Sequence, residues 1–249
     1  MNAPFRYPSF FDLREFARST RAPLSAPDGV VRRHVELPPG PVAVGALHVP
    51  PGEHQESIDG DEFVIVGEGE GEGEGEGEGE GEGEVSLRVD GMESKLAPGE
   101  SAVIRAGSEV RWAARNAATL VFMRYRAQSD QGPGVVPIDY VAELTPSGAP
   151  LAELLTTPTP ACRNFTDYRS ADGEFVCGTW DSTPYTRRAM RYRHYELMYL
   201  LDGEVSFEDE VGARATFWRG DIFLIRQGAE CSWDSQVYVR KVYAIWRPA

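Results

Sequence analysis

The segment Tyr192-Arg-His194-Tyr-Glu196-Leu-Met198 carries the densest chemistry in this chain. In an extended backbone every second residue falls on one face, so Tyr192, His194, Glu196 and Met198 point the same way. By the same rule Cys231 and Trp233 share a face, and Trp180 and Tyr185 sit on a preceding strand and turn that could line the mouth of the same pocket. A carboxylate and an imidazole that can move a proton, set among aromatic walls, describe a site for a small molecule. Glu196 and His194 are the catalytic candidates, and Tyr192, Cys231, Trp233, Trp180 and Tyr185 the ligand-binding ones. Each has a plainer role as well. His194 reads equally as a hydrogen-bonded core histidine, Cys231 as a small buried apolar group and Trp233 as core filler. As a thiolate, Cys231 would need a cationic neighbour, for which His194 or Arg240 is available. Glu196 resists the plain reading, because a buried carboxylate needs a metal, a histidine, an arginine or a ligand beside it.

The elements that must position these residues occur twice. Glu62-Phe-Val-Ile-Val-Gly, followed by a Gly-Glu run and Glu84-Val-Ser-Leu, matches Glu196-Leu-Met-Tyr-Leu-Leu-Asp-Gly203-Glu-Val-Ser-Phe207. Gly99-Glu-Ser-Ala-Val-Ile-Arg-Ala-Gly107 matches Gly220-Asp-Ile-Phe-Leu-Ile-Arg-Gln-Gly228, and Trp112 and Trp233 follow at the same interval. Upstream, Gly45-Ala-Leu echoes Gly178-Thr-Trp. Each copy is a series of short apolar runs broken by Gly, Pro and Asp, the pattern of an all-β sandwich or barrel. Helix signals are few: Phe10 to Ser19 reads as one short amphipathic helix, and Ile138 to Leu155 as one or two turns.

The glutamate-to-glycine and glycine-to-glycine spacings of both copies resemble the two sequence motifs of cupins, which are RmlC-like jelly-roll barrels with an internal pocket. Gly60-Asp-Glu-Phe-Val-Ile-Val, the Pro98-Gly-Glu turn, the repeated Gly-x-x-x-x-Trp and Val239-Arg-Lys-Val-Tyr243 resemble more closely the functionally mixed cupins of the DUF861 type, related to (S)-ureidoglycine aminohydrolase. The resemblance implies a bicupin: an N-terminal arm over 1–25, a first cupin over 26–126, a connection over 127–160 and a second cupin over 161–249. It also implies a small nitrogen-containing metabolite as ligand, and homodimers.

Cupins that hold a metal such as Mn, Fe, Ni or Zn use two histidines and a glutamate of the first motif and a histidine of the second. Here only the glutamates stand in place. Ser57 and Gln55 precede Glu62, Arg191 and Ala189 precede Glu196, and Val110 and Cys231 hold the remaining position. The expectation is therefore a pocket without a resident metal. The alternative is a divalent ion on Glu196, His194 and Cys231, or on His54, Glu56 and Glu62 if a shifted loop gathers them. In function, an enzyme acting in the second barrel stands against a non-catalytic binding protein, or a structural one with degenerate metal sites.

Nine Gly-Glu dipeptides run from Gly67 to Glu84 and supply nine of the charges behind a formal net charge of −14. The second copy crosses the same turn with Asp202-Gly203, so the run reads as an expansion at a hairpin. Two doublings of loop length cost only about 1.2 kcal/mol. An acidic chain without a basic cluster is a poor partner for nucleic acid or anionic membranes. The N-terminus lacks the features of a secretion signal, and no apolar run approaches the roughly 18 residues that span a bilayer. Three cysteines, none in a Cys-x-x-Cys pair, fit a reducing cytoplasm rather than a disulfide framework.

Overall fold

A computed structural model describes residues 7–20, 29–67, 83–126 and 132–249. Most of the Gly-Glu run (68–82), the ends of the N-terminal arm (1–6 and 21–28) and the start of the connection (127–131) lie outside the described residues. The first elements among the described residues are β1 (Phe10–Asp12) and α1 (Leu13–Ser19). Where the sequence suggests one helix from Phe10, its first three residues are a strand.

The chain divides into two compact units. One is built from residues 14–35 and 41–138, the other from 139–249 with the stretch through Leu13 and residues 36–40. The first contains β2 (Val31–His34), β3 (Val42–Val49), β4 (Gly52–Ser57), β5 (Asp61–Val66), β6 (Val85–Val89), β7 (Met92–Leu96), β8 (Ser101–Ile104), β9 (Glu109–Ala114), β10 (Ala118–Tyr125) and β11 (Val135–Pro137). They form a six-stranded sheet, β11-β8-β5-β10-β3-β2, and a four-stranded sheet, β4-β9-β6-β7. Alternation along the strands turns Val64, Val66, Leu120, Phe122, Leu87, Val110 and Trp112 into one buried cluster drawn from both sheets.

The second unit repeats this plan with β12 (Thr145–Ser147), β13 (Cys162–Arg169), β14 (Phe175–Ser182), β15 (Tyr185–Arg191), β16 (Tyr195–Asp202), β17 (Glu204–Glu208), β18 (Arg214–Trp218), β19 (Ile222–Ile225), β20 (Glu230–Ser235) and β21 (Val239–Trp246). Its sheets are β1-β19-β16-β21-β14-β13-β12 and β15-β20-β17-β18. β1 joins by pairing Phe10 with Ile225, and Phe10 packs on the core cluster. That backbone pairing outcompetes a helix for these three residues. The connection contributes an edge strand to each unit, β11 on β8 and β12 on β13. Between Ile138 and Leu155 one helical turn of the one or two expected forms, a 3-10 turn at Ala152–Leu154, alongside the strand β12. The chain is thus all-β, two jelly-roll barrels in tandem.

The repeat seen in the sequence holds residue for residue in strand register. Leu47 lies opposite Leu120 on β10 and Arg32 on β2, while Trp180 lies opposite Lys241 on β21 and Asn164 on β13. Gly45 and Gly178 check the alignment. A Cβ on Gly45 would come within 1.8 Å of the Arg33 carbonyl, and one on Gly178 within 2.1 Å of that of Phe165. Only glycine lets the neighbouring strand approach this closely.

Candidate functional site

The second barrel carries its chemistry at one end. β16 turns Glu196, Met198 and Leu200 inward, and β21 turns in Val239, Lys241 and Tyr243. Their partners in the core are Phe207, Phe217, Phe223, Cys231 and Trp233, with Phe217 stacked on Phe223 at 3.9 Å. Above this apolar floor the Lys241 Nζ donates to Glu196 Oε1 at 2.8 Å and contacts Met198 Sδ at 3.0 Å. The same ammonium lies 4.7 Å from the ring centroid of Trp180 and 5.0 Å from that of Trp233, a cation held between two indoles. His194 Nε2 donates to Glu196 Oε2 at 3.1 Å.

Burial alone would raise the proton affinity of Glu196. The Lys241 charge and the His194 hydrogen bond outweigh it and hold the carboxyl well below the usual carboxylate range. Glu196 and Lys241 open onto a cavity of about 300 Å³, walled also by Trp180, Asn164, Thr166 and Tyr243 and rimmed by Arg169, Glu174 and Arg247. Glu174 is engaged by Trp246 Nε1 and the Ala249 amide. A larger depression of about 460 Å³ in the first unit is lined by Glu53, Glu84 and Arg115, whose charged side chains are all exposed.

The residues singled out in the sequence divide into two layers. Glu196 and Trp180 line the cavity, and His194 reaches Glu196 from the side. Tyr185, Tyr192, Cys231 and Trp233 lie deeper, inside the core. Tyr185 stacks on Trp233 at 5.5 Å rather than standing at the mouth. The Tyr192 hydroxyl accepts from Arg187 Nη2 at 2.8 Å, and burial keeps its pKa well above the usual phenol value. Burial likewise pushes the Cys231 thiol up to about 12, against the weaker pull of Arg187. Burial thus favours the neutral thiol at Cys231 over a thiolate. All three cysteines are free and buried.

Two cations beside the acids of the two barrels are not among the candidates drawn from the sequence: Lys241, although it lies within the Val239–Tyr243 stretch, and Arg32. In the first barrel Arg32 donates through Nη2 to Glu56 Oε1 at 2.9 Å and to Glu62 Oε1 at 2.7 Å, while its Nη1 also meets Glu56. Arg124 Nε adds a bond of 2.6 Å to Glu62 Oε2, and Trp112 Nε1 one of 2.6 Å to Glu56 Oε1. His54 is not drawn to these acids by a shifted loop; it sits in regular β4, with Nε2 donating to the Pro50 carbonyl at 3.2 Å.

These surroundings do not fit a resident metal in either barrel. Glu56 and Glu62 are taken by guanidinium groups, and Glu196 is taken by an ammonium. His194 is the sole imidazole at its site, and Cys231 is a buried thiol within the core. Among the described residues no group of three or more His, Cys, Asp and Glu side chains is placed to hold an ion. No helix among them is long and apolar enough to cross a membrane.

Comparison with known proteins accords with this architecture. The family model of EutQ-like cupin domains matches residues 169–243. A crystal structure of a protein of unknown function of the DUF861 family from Pseudomonas syringae pv. tomato is 30% identical, with 86% of each chain covered and a TM-score of 0.73. A cupin 2 conserved barrel domain protein from Leptotrichia buccalis shares the fold at 11% identity over 98% of this chain and 99% of that one, TM-score 0.63. Salicylate 1,2-dioxygenase from Pseudaminobacter salicylatoxidans does so at 12% identity over 96% and 83%, TM-score 0.56. No curated protein matches the chain at a significant level. With its repeat, its two jelly rolls and a relative at this level of identity, the chain belongs to the cupin superfamily, within the DUF861 family.

Proposed function

We propose that this protein is a bicupin that binds a small, polar, nitrogen-containing metabolite at the mouth of its second barrel. The observation that carries the reading is the cavity of about 300 Å³ floored by Glu196 and Lys241. That volume suits a molecule of metabolite size. The anionic Glu196 can accept further N–H donors from an amine, amide or ureido group. The rim arginines Arg169 and Arg247 suit a carboxylate at the other end of the ligand. Trp180 and Tyr243 offer flat walls between the two ends. An amino or ureido acid of a few carbons satisfies all three regions.

Binding without turnover is favoured over acid–base catalysis by one feature. Lys241 holds Glu196 well below the usual carboxylate range, and so weak a base is poorly matched to proton abstraction near neutral pH. In the catalytic alternative, a ligand draws Lys241 away from Glu196, and Glu196 with His194 then moves a proton.

The test is a thermal-shift panel of small amino, guanidino and ureido acids, with their uncharged amides as controls, together with native mass spectrometry of the purified chain. A ligand present at 100 times its Kd stabilises by about 2.7 kcal/mol, a shift of several degrees that Glu196→Gln should abolish. No shift with any acid and no co-purifying molecule would overturn the reading. Conversion of a bound acid would select the catalytic alternative.

A further inference from the structure

The two barrels solve one electrostatic problem in different ways. Each places a glutamate inward from the equivalent strand, Glu62 on β5 and Glu196 on β16, and each surrounds it with cationic side chains. In the first barrel the cation comes from β2, where Arg32 lies opposite Leu47. The equivalent position in the second barrel, opposite Trp180, is Asn164. Asparagine is too short to reach the acid, and Asn164 lines the cavity instead. The second barrel draws its cation from β21: Lys241 lies opposite Trp180 where the first barrel has Leu120 opposite Leu47. Different side chains at two equivalent positions thus cap Glu62 with Arg32 in one barrel and leave Glu196 and Lys241 lining a cavity in the other.

We infer that Lys241 is the resident cation of the second barrel, placed beside Glu196 where a metal-loaded barrel would hold its ion, and that it presents its charge to the ligand. An ammonium has three N–H donors. One meets Glu196 Oε1 and one Met198 Sδ, and among the described residues the third has no partner. Because Lys241 lines the cavity, that donor is available to a carbonyl or carboxylate oxygen. Trp180 and Trp233 fix the nitrogen between their faces, which pre-orients it without taking up a donor. Lys241 thereby supplies the polarising positive charge that a metal ion supplies elsewhere, and it makes the site selective for ligands that bring an oxygen acceptor. The inference shares its site with the binding reading above, but metal content tests it, and no ligand outcome alters that count.

The experiment compares the full-length wild-type chain with Lys241→His after incubation with excess Zn²⁺ or Mn²⁺, desalting and elemental analysis. Wild type should retain less than about a tenth of an equivalent. Lys241→His sets a second imidazole beside His194 and Glu196 and should retain about one equivalent of Zn²⁺, with a raised melting temperature. About one equivalent in wild type, lost in Glu196→Ala, would overturn the inference. So would a folded Lys241→His that stays metal-free, because the Lys241 nitrogen would then not mark the cation position. If Lys241→His fails to fold, Lys241→Ala is melted with and without propylammonium. Recovery of several degrees with propylammonium, and not with the neutral propanol, supports the inference; equal or absent recovery overturns it.

Discussion

Replacing Lys241 with methionine should expose the electrostatics of the second barrel most directly. The substitution keeps a long apolar side chain against Trp180 and Trp233 and removes only the charge. The side chains of Lys241 and Glu196 are 7% and 11% exposed, so the pair is buried and little screened by solvent. Removing one member of a buried pair strands the other and costs about 3–5 kcal/mol. At about 2–4 °C per kcal/mol for a chain of this size, the melting temperature should fall by roughly 10 °C. The double variant Glu196→Gln with Lys241→Met removes both charges and should recover most of the loss. The sign of the pH dependence should also reverse. In wild type the folded pKa of Glu196 is depressed, so its stabilising contribution is in full force above the unfolded carboxylate value of about 4.3 and is lost only as pH falls through the lower folded value. In Lys241→Met, burial dominates and lifts the folded pKa above the unfolded one. Stability is then highest at low pH and is lost as pH rises, so the variant should gain stability between pH 7.5 and 5 while the Glu196 contribution in wild type stays constant. Urea melts followed by tryptophan fluorescence report mainly on this unit, which holds Trp180, Trp218, Trp233 and Trp246 of the chain's five tryptophans. A loss below about 1 kcal/mol, or a double variant no more stable than the single one, would refute a buried pair.

Two further outcomes follow from the same geometry. Asn164→Arg copies the first barrel's Arg32 into the second. The guanidinium should fill the cavity toward Glu196 and abolish ligand-induced thermal shifts while leaving the fold intact; a variant that binds as wild type would show that Asn164 does not control access. Cys231, buried and with its thiol pushed up to about 12, should resist iodoacetamide at pH 8 in the native protein and react only after unfolding. Rapid native-state labelling mapped to Cys231 would show that the core above it opens.

The fold was legible because a repeat carries its own control. Glu62 and Glu196, Gly45 and Gly178, and Trp112 and Trp233 recur in one order, and strand register pairs them as the alignment does. Helix signals misled at Phe10–Asp12, where pairing with Ile225 on another strand overrides local preference. The site was legible in half. Glu196 and Met198 follow from alternation along β16, and Trp180 from its place on a preceding strand. Tyr192 and His194 stand in the bend before β16 rather than in the extended run expected of them, and Tyr185 and Cys231 fall in the core because depth within a barrel is not written in one strand. Lys241 lies within the Val239-Arg-Lys-Val-Tyr243 stretch that carries the resemblance, and it left a second signal that went unused. It is one of two lysines in the chain, and it sits in an apolar strand on the face shared by Val239 and Tyr243. Its meaning depends on Glu196, 45 residues earlier. Arg32 was hidden more deeply, since it reaches Glu56 and Glu62 from a strand with no motif of its own.

The difference between the barrels argues for a division of labour rather than for two worn copies of one site. A decayed site would leave Glu62 without a partner, at a cost of several kcal/mol. Instead Arg32 and Arg124 cap both of its oxygens, and Trp112 and Arg32 satisfy Glu56. Burial works against the Arg32 charge, yet the two acids outweigh it and raise its pKa. Both acids of the first barrel are therefore capped, although the Arg32 Nε is buried without a hydrogen-bond partner. The second keeps its acid paired but reachable, with a short asparagine at the position of Arg32, and with a lysine that can face both Glu196 and a ligand. Capped acids in the first barrel and a reachable acid in the second are what the proposed binding function expects of the two copies.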